Sequence, residues 1–166
     1  MCQIVIRPYE RCDFTHLCEI DALCFPAGIA YSKKELLSCI MHPDSVTPVA
    51  VLDNGIVGFA VGQAQSPEVG HVLTIDVVSE ARRHRVGSLL MHALHEEFRR
   101  RSLRAVVLEV STENAGALKF YELFKYRRLG RIHRYYGNGE DAYQMMCLLD
   151  ATLSFPSLGT LCGLAP

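Results

Sequence analysis

The chain has 166 residues, 49% of them hydrophobic and 21% charged, and a formal net charge of −1. That composition fits one soluble domain able to bury a proper core, and it supplies no overall positive field for nucleic acid or an anionic membrane. No apolar run reaches the roughly 18 residues of a membrane helix, so no membrane partner is expected.

The first residues enter a strand pattern at once, over 4–7, with Pro8 stopping it and no signal-peptide shape. Asp13 is a candidate cap for a helix reaching about Cys24, with Phe14, Leu17, Ile20 and Cys24 at helical spacing. Phe25-Pro26-Ala27-Gly28 breaks it. Ser32, with Glu35 three residues on, forms a capping box for a second helix that ends at Pro43-Asp44. Val49, Ala50, Val51 and Leu52 form an apolar run before Asn54-Gly55, a strong hairpin signal, and 56–65 reads as the returning strand. After a loop over 66–70, the next strand spans 71–78.

A helix from Gly87 follows, burying Leu89, Leu90, Ala93 and Leu94 and exposing Glu96, Glu97, Arg99 and Arg100. The nearly continuous apolar run over 105–110 reads as a strand covered on both faces. Residues 115–124 read as a helix, and 127–135 and 141–149 as two last strands around Gly137-Asn138-Gly139. The order implies an α/β fold: a single α+β domain over 1–150 with a mixed, partly antiparallel open sheet flanked by helices. Residues 151–166 form an uncharged tail, expected as a loosely packed arm or a partner contact. The seven cysteines are widely spaced without a CxxC pair, so reduced thiols, a cytoplasmic location and no metal site are expected.

The most telling stretch is Arg82-Arg83-His84-Arg85-Val86-Gly87-Ser88, between an apolar strand and an amphipathic helix. The first amides of a helix have no partner within it and point outward, and the helix dipole adds partial positive charge. Such a turn, beside three arginines, is a site for a phosphate or pyrophosphate.

With this turn, the segment from Leu108-Glu109-Val110 through Asn114-Ala115-Gly116-Ala117 to Tyr121-Glu122 resembles the GNAT acetyltransferases. That segment, and the later Tyr135-Tyr136 followed by Glu140-Asp141-Ala142, are most similar to the ribosomal-protein alanine (RimI-like) N-terminal acetyltransferases. The resemblance is close over 71–149 and weaker before it. It implies acetyl-CoA as cosubstrate, with its pyrophosphate held by Arg83, His84, Arg85, Val86, Gly87 and Ser88. Its pantetheine arm would lie along Ile75, Asp76 and Val77, with Asn114 also at the cofactor. The acceptor is a primary amine, a protein N-terminus foremost, and the assembly a monomer or homodimer. A GNAT acting on a small amine and a non-catalytic CoA-binding protein are the alternatives.

The resemblance makes Glu109 the general base and Tyr121 the acid that protonates the departing thiolate. A carboxylate in so apolar a strand is expected to be buried, with its pKa raised. His71 opens the strand facing it, where relatives have a polar residue that helps order a water. Tyr31, Tyr135 and Tyr136 lie in the two loops expected to flank the acceptor. Arg85 stands where the family usually has glycine, and a positive φ there would be strained by about 1 kcal/mol.

Overall fold

The elements run β1 (Val5–Pro8), a 3-10 turn (Arg11–Asp13), α1 (Phe14–Cys24), α2 (Lys33–Met41), β2 (Ser45–Val46), β3 (Pro48–Leu52), β4 (Gly55–Ala64) and β5 (Val69–Val77). A second 3-10 turn (Ser79–Ala81) leads to α3 (Val86–Arg100), β6 (Ala105–Ser111), α4 (Ala115–Leu123), β7 (Arg127–Ile132) and β8 (Ala142–Leu148). They are those of a computed structural model, which describes residues 3–155. The strands form one sheet in the order β1-β3-β4-β5-β6-β8-β7, with β2 also on β4. Only β5 and β6 are parallel, and α3 makes the crossover between them. The expected mixed sheet is the one observed.

Strand alternation sorts side chains onto two faces. Val49, Phe59 and Val61 pack with Leu17, Ile20, Leu36 and Ile40 of α1 and α2. Their neighbours Ala50 and Ala60 pack with Leu90, Leu94 and Phe98 of α3 on the other side. Small residues on β4 and β5 let α3 come close: a Cβ at Gly62 would lie 2.6 Å from the Phe98 ring, and one at Gly70 2.9 Å. A third cluster joins Ala105, Val107, Leu129 and Met146 with Phe155, over whose ring the Arg127 guanidinium stacks at 4.5 Å.

Local chemistry shifts several expected boundaries. The hairpin turn is Asp53-Asn54, with φ of 48° and 66°, and Gly55 is already paired with Leu52. Two left-handed turn residues match the twist of the strands. Asp13 does not cap α1; its carboxylate accepts the Glu10 N–H at 2.8 Å and a two-pronged Arg7 contact at 2.7 and 2.8 Å. Leu89, expected inside, is 38% exposed, because the buried stripe of α3 runs through Val86, Leu90, Met91, Leu94, His95 and Phe98. β7 stops at Ile132, since Arg134 turns to a φ of 52° and its N–H bonds the Asp141 carboxylate. The Ser32–Glu35 capping box forms as expected. Most of the tail lies outside the described residues.

One buried polar pair sits inside the α3 face. His95 Nε2 lies 2.8 Å from the Tyr126 hydroxyl, and the ring packs against Phe124. Burial, helped by the positive charge of Arg99, pulls the imidazole down to about 4. An unfolded imidazole gains a proton as pH falls through 6.5, while the folded one resists until about 4, so folding stability is lost on acidification across that window. That difference amounts to about 3 kcal/mol. His95→Gln, neutral at every pH, should be less stable than wild type near neutrality, and its disadvantage should shrink by pH 4.5. Urea titrations at a series of pH values measure this; a constant gap would contradict it.

Candidate active site

The site begins where two neighbouring strands part. β5 and β6 are laddered from Val69↔Ala105 to Val72↔Leu108 and no further, although β5 runs on to Val77 and β6 to Ser111. At the same place β5 carries an extra residue: Gly62 opposes Val72 and Val61 opposes Thr74, leaving Leu73 unmatched. Such a bulge bends its strand and reverses the side-chain alternation beyond it. The edge of β5 facing β6 is therefore open backbone from Leu73 onward. A cavity of about 1300 Å³ occupies the opening, lined by Leu73, Ile75 and Val77 on one side and Glu109, Val110 and Ser111 on the other.

One end of the cavity is built for an anion. Arg83 and Arg85 take left-handed φ values of 66° and 65° at the mouth of α3. The first ladder bond is Leu89 N–H to the Arg85 carbonyl at 2.9 Å, so the amides of Val86, Gly87 and Ser88 are free to face a ligand. Arg82 Nε donates to the Val77 carbonyl at 3.0 Å and ties the turn to the end of β5. The cavity lining includes Arg82, Arg83, Arg85, Val86, Gly87 and Ser88. Asn114 borders it too, while its Oδ1 caps α4 by accepting the Ala117 N–H at 3.0 Å.

The side chains of two residues in these stretches lie outside the cavity lining. The His84 ring folds onto the Arg82 carbonyl at 3.0 Å and stays outside the lining. Asp76 is turned to the α1 side by the bulge and is 1% exposed; Thr74 Oγ1 donates to its Oδ1 at 2.9 Å. Burial pushes its carboxyl well above the usual range, and the charge of Asp21 adds to this. Its side chain is part of the packing between α1 and β5, not of the cavity wall.

The other end holds acid–base groups. His71 Nε2 lies 2.6 Å from Glu109 Oε2, and the Tyr135 hydroxyl donates to the same oxygen at 3.4 Å. Gln144, directly across the β6–β8 ladder, donates to Glu109 Oε1 at 3.3 Å. Burial alone would raise the Glu109 carboxyl, as expected from sequence. The hydrogen bonds from His71, Gln144 and Tyr135, with the charge of His71, outweigh it and hold the group below its ordinary value. The expected direction is thus reversed.

Tyr121 is almost fully buried and borders the cavity; burial pushes its hydroxyl upward, which keeps it protonated and a donor. Tyr31 spans the gap by donating to the Leu73 carbonyl at 3.3 Å, its own N–H held by Asp21 at 2.8 Å. Tyr136 lies beside Tyr135, ring against ring at 4.9 Å. The 25–32 and 135–139 loops meet: Gly137 N–H donates to the Gly28 carbonyl at 2.9 Å. Gly28 has a φ of 88°, and a Cβ there would lie 2.9 Å from the Asn138 nitrogen, so only glycine permits the contact.

Sequence reasoning missed Gln144 and the contact of Ser111 with Glu140, whose oxygens are 2.5 Å apart. Gln144 carried a signal, as a polar residue in the apolar strand paired with that of Glu109. The Ser111 contact had none, because a tight turn of Asn138 and Gly139 brings Glu140 back to β6.

Arg85 offers a direct test of the turn. Arg85→Gly removes the left-handed strain and should raise stability by about 1 kcal/mol. Calorimetric titration should show coenzyme A binding kept or improved; a large loss of affinity would mean that the guanidinium, rather than the backbone, holds the ligand.

Residues 13–126 match the model of the acetyltransferase (GNAT) family. An N-alpha-acetyltransferase of Saccharolobus solfataricus is 30% identical over 109 residues, covering 58% of this chain and 65% of the relative's own length. Ard1 from Thermoplasma volcanium superposes with a TM-score of 0.82 at 26% identity, over 87% of this chain and 97% of that one. The ribosomal-protein-S18-alanine N-acetyltransferase of Escherichia coli shares the fold, with a TM-score of 0.79 at 23% identity over 92% of this chain and all of that one (100%). The strand fork, the turn at α3 and the family match agree: the chain belongs to the GNAT acetyltransferase family.

Proposed function

We propose that the protein transfers the acetyl group of acetyl-CoA to a primary amine, foremost the α-amino group of a protein or peptide N-terminus. The observation that carries this reading is one continuous cavity joining an anion-binding helix start to the Glu109–His71 pair and Tyr121. Acetyl-CoA, when bound, supplies an activated thioester. The amides of Val86, Gly87 and Ser88, with Arg83 and Arg85, suit its pyrophosphate, and the open edge of β5 suits its amide-bearing arm. The Glu109–His71 pair takes the proton that the attacking amine must lose. Tyr121, kept neutral by burial, gives a proton to the departing sulfur.

The N-terminal preference draws on the likeness to the Saccharolobus N-alpha-acetyltransferase and on the aromatic side chains of Tyr31 and Tyr135 at the acceptor end. A second reading, a small-molecule amine as acceptor, is favoured by the Gly28–Gly137 contact, which bridges the two loops where a long peptide would leave.

A thiol-release assay with acetyl-CoA against short peptides of varied first residue, with polyamines alongside, decides between them. Faster release with peptides supports the first reading and faster release with polyamines the second. Glu109→Gln should lower turnover about tenfold or more with little change in acetyl-CoA affinity. Tyr121→Phe should slow transfer by about 10²-fold, and a wild-type rate would reduce Tyr121 to a packing residue.

A further inference from the structure

We propose that Asp21 is a positioning residue for the acceptor: from behind β5 its carboxylate holds the Tyr31 N–H and so fixes the tyrosine that walls the acceptor end of the cavity. The inference rests on the acetyl-transfer reading and adds to it a side chain outside the cavity lining.

The segment over 25–32 has no helix or strand of its own. Inside it the Ile29 and Ala30 N–H groups share the Pro26 carbonyl at 3.0 and 3.1 Å, which leaves its position to bonds made from outside. From 26 to 31, three hydrogen bonds reach other elements among the described residues. Gly28 meets Gly137 of another exposed loop, the Tyr31 hydroxyl meets the Leu73 carbonyl, and the Tyr31 N–H meets Asp21. Only the last comes from a side chain set in the interior: Asp21 is 1% exposed, on α1 beside Leu17 and Ile20.

Tyr31 is gripped at both ends. Its N–H lies 2.8 Å from Asp21 Oδ2, and its hydroxyl donates to the Leu73 carbonyl at 3.3 Å. Leu73 is the unmatched residue of the bulge, so the hydroxyl occupies a carbonyl where the strand edge opens. With both ends fixed the ring keeps one orientation across the gap, packed on the α1–α2 side of the sheet. Freeing the N–H leaves the ring a single hydrogen bond. The wall then shifts relative to His71 and Glu109, which stand on paired strands.

Asp21 is a costly residue to bury, so the contact serves more than packing. Its Oδ1 is sealed in without a partner, and among the described residues its Oδ2 has the Tyr31 N–H alone. A neutral side chain would avoid that cost. Burial pushes the carboxyl up to about 6 against the pull of the N–H, so at neutral pH it is ionised and the bond is charge-assisted.

The groups facing Asp21 are Asp76 on β5, Tyr31 from the 25–32 segment, and Cys18 one turn earlier on α1. The cations Lys33 and Arg82 act on Cys18 and Asp76. On this side α2 and β4 present Leu36, Ile40, Phe59 and Val61. Acid therefore loosens the grip. As pH falls through about 6 the carboxylate takes a proton, and a neutral acceptor holds the N–H roughly half as strongly.

The test compares Asp21→Ala and Asp21→Asn with wild type, using whichever peptide or polyamine the wild type acetylates. Coenzyme A titration verifies that each variant is folded. At about pH 8, Asp21→Ala should raise acceptor KM about tenfold, with kcat and coenzyme A affinity within about threefold of wild type. Asp21→Asn keeps an acceptor oxygen on the same stem and should bring KM back to within about threefold. Its KM ratio to wild type, in which protonation of the amine cancels, should fall toward one between about pH 8 and about pH 5. A wild-type KM in Asp21→Ala would overturn the proposal, as would a loss confined to kcat or a defect that Asp21→Asn fails to rescue. The Tyr31 amide proton gives an answer that needs neither turnover nor the alanine variant. Its chemical shift should titrate with a midpoint near 6 in wild type, and that step should vanish in Asp21→Asn. A flat wild-type shift, or a step that survives the substitution, ends the proposal. A wild type that acetylates neither acceptor fails the acetyl-transfer reading, while the amide titration still decides whether Asp21 grips Tyr31.

Discussion

The parting of β5 from β6 after Val72↔Leu108 is the constraint on which the site depends. A parallel pair in the middle of a sheet normally runs its full length, because unpaired backbone inside a protein is destabilising by about as much as a lost hydrogen bond. Here the extra residue at Leu73 bends β5 away, and the crossover helix α3 starts just past the widened end. The same event supplies both ends of the chemistry. It leaves the open strand edge and directs the start of α3 at the gap, while His71 and Glu109 sit on either side of the fork.

The charges around that fork are arranged so that few stand alone. Glu109 is buried yet ionised because donors from β5, β8 and the β7–β8 connection converge on it. Gln144 is positioned by the β6–β8 register and Tyr135 by the turn that ends β7, so the carboxylate reports on the integrity of three separate elements. Tyr31 is held on the opposite side by Asp21, so that wall of the cavity is anchored to α1 as well. Because Glu109, His71 and Gln144 stand on paired strands, the geometry around the carboxylate is fixed before any ligand arrives.

Much of this was legible in the residues. The apolar run before Asn54-Gly55 placed the β3–β4 hairpin, the Ser32–Glu35 box placed α2, and the arginine-rich turn before an amphipathic run placed the start of α3. The reason is that each of those signals is local. What could not be read depended on pairing across the sheet. Asp76 came in only as part of the strand along which the resemblance lays the pantetheine arm; the bulge at Leu73, visible only in the β4–β5 register, gives its side chain to the α1 side. The direction of the Glu109 shift failed for the same reason, since burial is a sequence-level inference and its three donors are not. Gln144 lies 35 positions from its partner in the chain and touches it only through the ladder.

Local rules are broken at the borders of the cavity more than elsewhere. Arg83 and Arg85 occupy left-handed backbone that favours glycine. Just behind β5, Asp76 Oδ2 and Asp21 Oδ1 are buried without partners, and burial holds the Asp21 carboxyl up at about 6. Burial raises both carboxyls, and the charge of Asp21 pushes Asp76 further in the same direction. The Tyr31 N–H bonds the other oxygen of Asp21, which ties this buried carboxyl to the wall of the cavity. Strain and unsatisfied polarity persist only where surrounding structure over-determines them. The sheet and α3 do so here, and the tolerated irregularities lie at or just behind the walls of the cavity.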